Sequence, residues 1–327
     1  MEKLLYYLAR ALVAFLQALP LMWVARLGRA GGAVAYWIDA RHRRVALRNL
    51  AMCFGHEKSP AEIRALAREN FRRLGENYCC AIKTAVMTRE QLEPHLEFVN
   101  VERLHTAWQA ATPPHSIVMA IGHFGNFELY AHYGKFVPLI QLATTYRGLR
   151  QPSLNRLMQE LREHSGCLYF ERRTEGAALR AALKERPLLL GLLVDQHPGD
   201  QGVCLPFLGP PCNHSTAAAI LALRYHCALI TSICYRVGLG RWRIEIGPEI
   251  PTRENGKARS AAAITADTIR TLEAAIRRDP ANWFWVHNRW RPAAVRVKNS
   301  TVVRMSEPEP KVEELVPTPT LKKKDKG

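Results

Sequence analysis

The chain has no Cys-x-x-Cys pair, although it carries eight cysteines, and two of these, Cys79 and Cys80, are adjacent. Adjacent cysteines are poorly placed for two regular disulfides, so a disulfide scaffold is excluded and reduced thiols packed as small hydrophobes are expected. There is no Gly-x-Ser-x-Gly elbow, which removes the usual signature of a serine nucleophile on a strand-to-helix turn. The histidines and cysteines match no common zinc spacing, so no metal and no cofactor are expected. No internal repeat is visible, which argues against a solenoid. Acidic residues are few, 29 Asp and Glu against 46 Lys and Arg, for a net charge of +17. That excess points to an anionic partner, which can be an acidic protein, a lipid surface or nucleic acid. Nucleic acid is set aside because no recognisable binding motif accompanies the charge. What is present is an ordinary globular balance, with 327 residues, 48% of them hydrophobic, and 20 each of Gly and Pro. Such a chain has material for a large core, and disorder throughout is excluded.

Leu4 to Ala25 is a 22-residue stretch with one charge, Arg10. At about 1.5 Å per residue it is long enough for a hydrocarbon core of roughly 30 Å. It reads as a membrane anchor over residues 1–28, spanning, or lying in the interface if Pro20 kinks it. A signal peptide cut after Ala33-Val34-Ala35 and a soluble first helix are the competing readings. Arg26, Arg29, Arg41, Arg43, Arg44 and Arg48 follow, against Lys3 before it. By the positive-inside rule this cluster places the body of the protein in the cytoplasm, with the basic residues at the headgroups of the cytoplasmic membrane. At the other end, residues 306–327 hold four prolines and balanced charge, which reads as a disordered tail. One large domain over residues 29–305 remains.

After a helical first part, the chain from residue 115 alternates strands and helices. Ser116–Ile121, Leu139–Tyr146, Cys167–Phe170, Leu188–Val194, Ala228–Tyr235 and Trp242–Ile246 are short apolar runs, separated by amphipathic stretches. The pattern predicts an α/β fold, a mostly parallel or mixed central sheet flanked by helices. In such sheets ligands bind beyond the carboxyl ends of the strands. His123 and Glu128 follow the first of these runs, Arg147 the second, and Asp195 with Gln196 the buried LLLGLLV run.

His123, between Gly122 and Gly125, can take a proton at one ring nitrogen if a carboxylate holds the other, and an imidazole's ordinary pKa near 6.5 suits a general base. Glu128, at the start of the next helix, is the carboxylate the chain reversal brings nearest. With no serine elbow, the expected chemistry is direct deprotonation of a bound hydroxyl. A helix cap and turn closure is the structural alternative. A metal at this point would recruit His132 or His197, but the zinc patterns do not fit.

The block GHFGNFE (Gly122 to Glu128) resembles the HxxxxE block of the bacterial lipid A late acyltransferases, the acyl-carrier-protein-dependent lauroyl/myristoyl transferase family. The resemblance continues in GAVAYWIDARHRRVALRNLAMCFG (Gly32 to Gly55), in TTYRGL around Arg147, in VDQHPGDQGVCLPFLGPP (Val194 to Pro211) and in WFWVHNRWRP (Trp283 to Pro292). It implies a fold similar to that of glycerolipid acyltransferases and transfer of a fatty acyl group from an acyl carrier protein thioester to a hydroxyl of a phosphorylated lipid A precursor. It also implies an inner-membrane location with the catalytic domain facing the cytoplasm. By the same resemblance His123 is the general base and Glu128 its orienting partner, while Arg147, Asp195 and Gln196 belong to the substrate-binding site. The sequence departs from the family pattern at Phe127, a conservative aromatic where Trp is common, at Asn288, and at Gly148 and Leu208, which with Cys212-Asn213-His214 mark a divergent acyl or acceptor pocket. The readings left beside this one are an acyl hydrolase or thioesterase with the same dyad, an acyltransferase for another lipid acceptor, and a non-catalytic lipid-binding protein.

Overall fold

The computed structural model describes residues 2–110, 115–137, 140–199 and 202–290. The tail expected over residues 306–327 lies outside the described residues. The chain begins with helices α1 (Glu2–Ala18), α2 (Leu21–Ile38), α3 (Ala40–Phe54), α4 (Pro60–Thr84) and the single turn α5 (Arg89–Leu92). Strand β1 (Leu96–Val99) and helix α6 (Glu102–Gln109) lead to β2 (Ile117–Ile121) and a 3-10 helix at Phe127–Lys135. Next come β3 (Gln141–Tyr146), α7 (Pro152–Glu163), β4 (Leu168–Glu171), α8 (Gly176–Glu185) and β5 (Leu188–Leu193). A hairpin of β6 (Val203–Pro206) and β7 (Pro211–His214) precedes α9 (Ala217–Arg224), β8 (Ala228–Gly238) and β9 (Arg241–Glu249). A two-residue ribbon, β10 (Arg253–Glu254) and β11 (Lys257–Ala258), leads into α10 (Ala261–Arg278).

Seven strands form one sheet in the order β1-β9-β8-β2-β5-β3-β4, parallel everywhere except between β8 and β9. The mostly parallel sheet flanked by helices is therefore as expected. All five residues of β2 are buried, as a strand covered by helices on both faces requires. One apolar cluster, with Val118, Leu190, Leu229 and Leu272, fills one side of the sheet, and a second, with Met119, Leu189, Ile230 and Ile244, fills the other. The β2–β5 register pairs Ile121 with Leu193, so the two segments that leave these strands start side by side. All eight cysteines are free.

The N-terminal segment differs from the span expected over Leu4 to Ala25. Among the described residues no helix is long and apolar enough to cross a membrane. The reason is Pro20, whose extended backbone (φ −58°, ψ 142°) ends one helix and starts the next. Seventeen residues of α1 reach only about 25 Å. Both helices also use one side against the protein. Leu16, Leu21, Val24 and Ala25 are buried, the Tyr6 hydroxyl donates to Glu160 on α7, and Gln17 donates to the Ile82 carbonyl of α4. α2 runs through residue 28 and lies directly on α4 at a glycine crossing. A Cβ on Gly75 would stand 2.1 Å from the Gly28 carbonyl oxygen, and one on Gly32 would stand 2.2 Å from that of Phe71. The opposite sides of α1 and α2 stay uncovered, with Leu8 61%, Phe15 55%, Trp23 55%, Trp37 56% and Ile38 76% exposed.

Two buried histidines make the fold acid-sensitive. Burial, assisted by Lys135, pushes His132 down to about 4, and burial, assisted by Arg289, pushes His214 down to about 3. Both are neutral in the native state, whereas in the unfolded chain an imidazole protonates near 6.5. Below about pH 6.5 the unfolded chain therefore binds protons that the native state refuses. The stability that these residues contribute is complete above that pH and declines as pH falls, by up to about 1.4 kcal/mol per pH unit for each histidine. Urea unfolding at pH 7, 6 and 5 is expected to show this decline, and His132→Leu to make it shallower. A midpoint that stays constant from pH 7 to 5 would contradict the assignment.

Candidate active site

The segments that follow β2 and β5 bring an imidazole and a carboxylate together. Immediately after β2 the chain turns so that the His123 backbone N–H donates to Asp195 Oδ2 at 2.7 Å, while ring Nδ1 lies 2.7 Å from Asp195 Oδ1. Asp195 follows β5 and is 2% exposed. Its Oδ2 also accepts from the Trp283 indole at 2.8 Å. Burial by itself would raise the Asp195 carboxyl. The imidazole beside it, the two bonds from His123 and the Trp283 N–H outweigh that and hold it below the ordinary carboxylate range. An ionised Asp195 places the proton of neutral His123 on Nδ1 and leaves Nε2 as the proton acceptor. The Gln196 carboxamide nitrogen stands 3.2 Å from Nε2. The His123 side chain is 13% exposed, so the ring remains within reach of a substrate. Phe127 meets it edge-on at 4.8 Å and Phe284 stacks at 5.6 Å.

The segment after α10 closes the site from above. Phe124 forms an isolated antiparallel bridge with Trp283, and Gly125, in the left-handed region at φ +51°, donates its N–H to the Asn282 carbonyl. Two fully buried asparagines hold this aromatic strap in place. Asn70 of α4 donates to the carbonyls of Ala281 and Trp283, and Asn49 of α3 to those of Trp285 and His287. Arg289, itself fully buried, ties the strap to the β6–β7 hairpin through the Asn213 carbonyl and His214 Nδ1, with its guanidinium over the Phe207 ring.

Glu128 takes a different partner from the one expected. Its carboxylate accepts from Arg162 of α7 at 2.9 Å, while the imidazole is held by Asp195. The left-handed Gly125 and the non-helical Asn126 (φ −83°, ψ 74°) turn the chain before the 3-10 helix, so Phe127 faces His123 and Glu128 points toward α7. The Arg162 guanidinium lies against the rings of Tyr146 and Tyr169, at 5.5 and 5.2 Å. Burial would lower it, but Glu128 outweighs that and raises it. Arg162 and Trp283 were not singled out in the sequence. Asp195, expected to bind substrate, has both oxygens engaged inside the protein, and Arg147 is exposed one residue beyond β3.

Beside this group is a mainly apolar cavity of about 60 Å³, lined by Met119, Ile121, Leu142 and Leu189 and also by Glu128, Tyr146, Arg162 and Tyr169. A second hollow of about 10 Å³ touches His123, Asn126 and Phe284. Phe127 and Glu128 line both and form the wall between them. Among the described residues no group of three or more His, Cys, Asp or Glu is placed to hold a metal ion.

A His–Asp pair beside a mainly apolar cavity is compatible with an enzyme that handles an apolar acyl group. The chain belongs to the bacterial lipid A biosynthesis acyltransferase family, whose model matches residues 1–292. It is thus an acyltransferase of lipid A biosynthesis. Comparison with individual curated proteins gives no match.

Asp195→Asn is the sharpest probe of the His123 environment. An amide at this position can donate to Nδ1, which favours the tautomer with its proton on Nε2. Acyl transfer is expected to fall by about 10³- to 10⁴-fold, with the protein still folded. A loss of less than about tenfold would show that Asp195 does not set the tautomer.

Proposed function

We propose that the protein moves a fatty acyl chain from an acyl carrier protein thioester to a hydroxyl of a phosphorylated lipid A precursor, with His123 as general base and Asp195 as the carboxylate that orients it. The observation that carries this reading is the His123–Asp195 pair at the carboxyl ends of two adjacent parallel strands, one side chain away from an apolar cavity. Nε2 takes the proton of the acceptor hydroxyl as its oxygen attacks the thioester carbonyl carbon. The carbon–sulfur bond then breaks, and the same proton leaves with the thiol. The acyl chain occupies the apolar cavity, and its carbonyl reaches His123 past Phe127. Glu128 acts there through Arg162 as the polar rim of the slot rather than as a partner of the imidazole. Arg147, exposed at the same sheet edge, is suited to a phosphate of the acceptor or of the donor arm. Gln196 completes the polar site.

Membrane association fits this reading without a span. The uncovered apolar sides of α1 and α2 carry Trp23 and Trp37, and Arg26, Arg41 and Arg44 are exposed nearby in the chain. This combination suits an anionic membrane surface, with the apolar side chains in the interface and the guanidiniums at the headgroups. The expected location is the cytoplasmic face of the inner membrane, residues 1–28 contributing to the contact and residues 29–305 forming the catalytic domain.

The test is mass spectrometry of lipid A from a host lacking its own late acyltransferase. Expression of the protein is expected to add one acyl unit, and His123→Ala to abolish the gain. In the same cells the combined Trp23→Glu and Trp37→Glu variant is expected to move protein out of the membrane fraction and to lower the acylated fraction. Unchanged lipid A, with the protein expressed and membrane-bound, would reject the acceptor.

A further inference from the structure

The proton-accepting nitrogen of His123 is already occupied. Nδ1 is committed to Asp195, so Nε2 is the ring's remaining acceptor, and the Gln196 carboxamide stands 3.2 Å from it in hydrogen-bond range. Gln196 immediately follows Asp195 and is half-buried. The His123 side chain is 13% exposed, so solvent water can reach the ring. A base within reach of water and a bound thioester are together the parts of a thioesterase, and an acyltransferase has to keep them from acting as one.

We propose that Gln196 is a displaceable latch on His123 Nε2 that holds water off the base until the hydroxyl acceptor is bound. The inference rests on the acyl-transfer reading above and concerns how that site selects its nucleophile. In transfer, the acceptor oxygen bonds to the thioester carbonyl carbon and its proton passes to Nε2. The carbon–sulfur bond breaks with its electron pair on sulfur, and the proton returns to that sulfur. Water in the same position gives a free fatty acid and the same thiol, with identical proton bookkeeping. The two nucleophiles differ in what else holds them. A large phosphorylated acceptor has binding energy from its remote parts to spend on displacing the amide, and a single water has none. Gln196 is thus a positioning residue that acts through His123.

Gln196→Ala removes the latch, and Gln196→Met removes its donor while keeping much of its shape. The probe is a dodecanoyl thioester of acyl carrier protein, assayed with and without purified lipid A precursor. Both variants are expected to raise the ratio of fatty acid release to transfer by about three- to tenfold, the range set by one neutral hydrogen bond. Gln196→Glu places a carboxylate against Nε2, stabilises the protonated ring, and is expected to move the acid limb of the rate profile to higher pH. A role in packing alone predicts that Met restores the wild-type ratio, whereas the latch predicts that Met behaves as Ala. If the wild type transfers acyl groups in a His123-dependent manner but neither Ala nor Met changes the ratio, the latch is wrong and the acyltransferase reading stands. If the wild type shows no His123-dependent transfer, the reading fails and the latch fails with it.

Discussion

The bond between His123 and the buried Asp195 carboxylate is the constraint around which the site is arranged. A carboxylate removed from water and left unpaired costs several kcal/mol, so each of its oxygens has to find a donor. Here the donors are the His123 ring, the His123 backbone and the Trp283 indole. Each has a structural consequence. The backbone bond fixes the turn after β2, the ring bond fixes the tautomer, and the indole bond requires the aromatic strap to lie across the site. The strap in turn needs Asn49 and Asn70, buried on helices far away in the chain, to satisfy its carbonyls. Residues from α3, α4, two strand ends and the segment after α10 are thus recruited to keep one carboxylate ionised in a dry place.

A division of labour follows from where the second carboxylate goes. Glu128 pairs with Arg162, which lies against the rings of Tyr146 and Tyr169 in the lining of the apolar cavity. Phe127 and Glu128 form the wall between that cavity and the hollow at His123. A substitution at Glu128 therefore acts on the lining of the cavity and on the pairing of a guanidinium, and a substitution at Asp195 acts on the His123 ring. Both kinds of variant can be inactive for different physical reasons.

The strands and their polar ends were legible because period and composition report burial on both faces of a parallel sheet. His123 and Asp195 could be placed at one edge by that logic alone. Their direct bond could not, since it depends on the strand order that sets β5 beside β2, and order is not written in any local pattern. Glu128 was the carboxylate nearest in sequence. The left-handed Gly125 and the 3-10 turn redirected it. Arg162 looked like one more polar residue of an amphipathic helix, and only the two tyrosines and Glu128 distinguish it. Trp283 carried a signal, a tryptophan-rich run close to the end of the fold, but nothing in the run says which indole reaches a carboxylate. Pro20 was visible from the start. Its full effect depends on α2 lying against α4 at Gly28, Gly32 and Gly75, a contact between distant segments.

Nitrogen-15 NMR of the histidine rings tests the central claim most directly. The account predicts that His123 in the resting protein carries its proton on Nδ1, with a downfield Nδ1–H resonance from the bond to Asp195. That resonance should persist in Glu128→Gln and vanish in Asp195→Ala. A His123 protonated on Nε2, or a resonance lost in Glu128→Gln and kept in Asp195→Ala, would contradict the account.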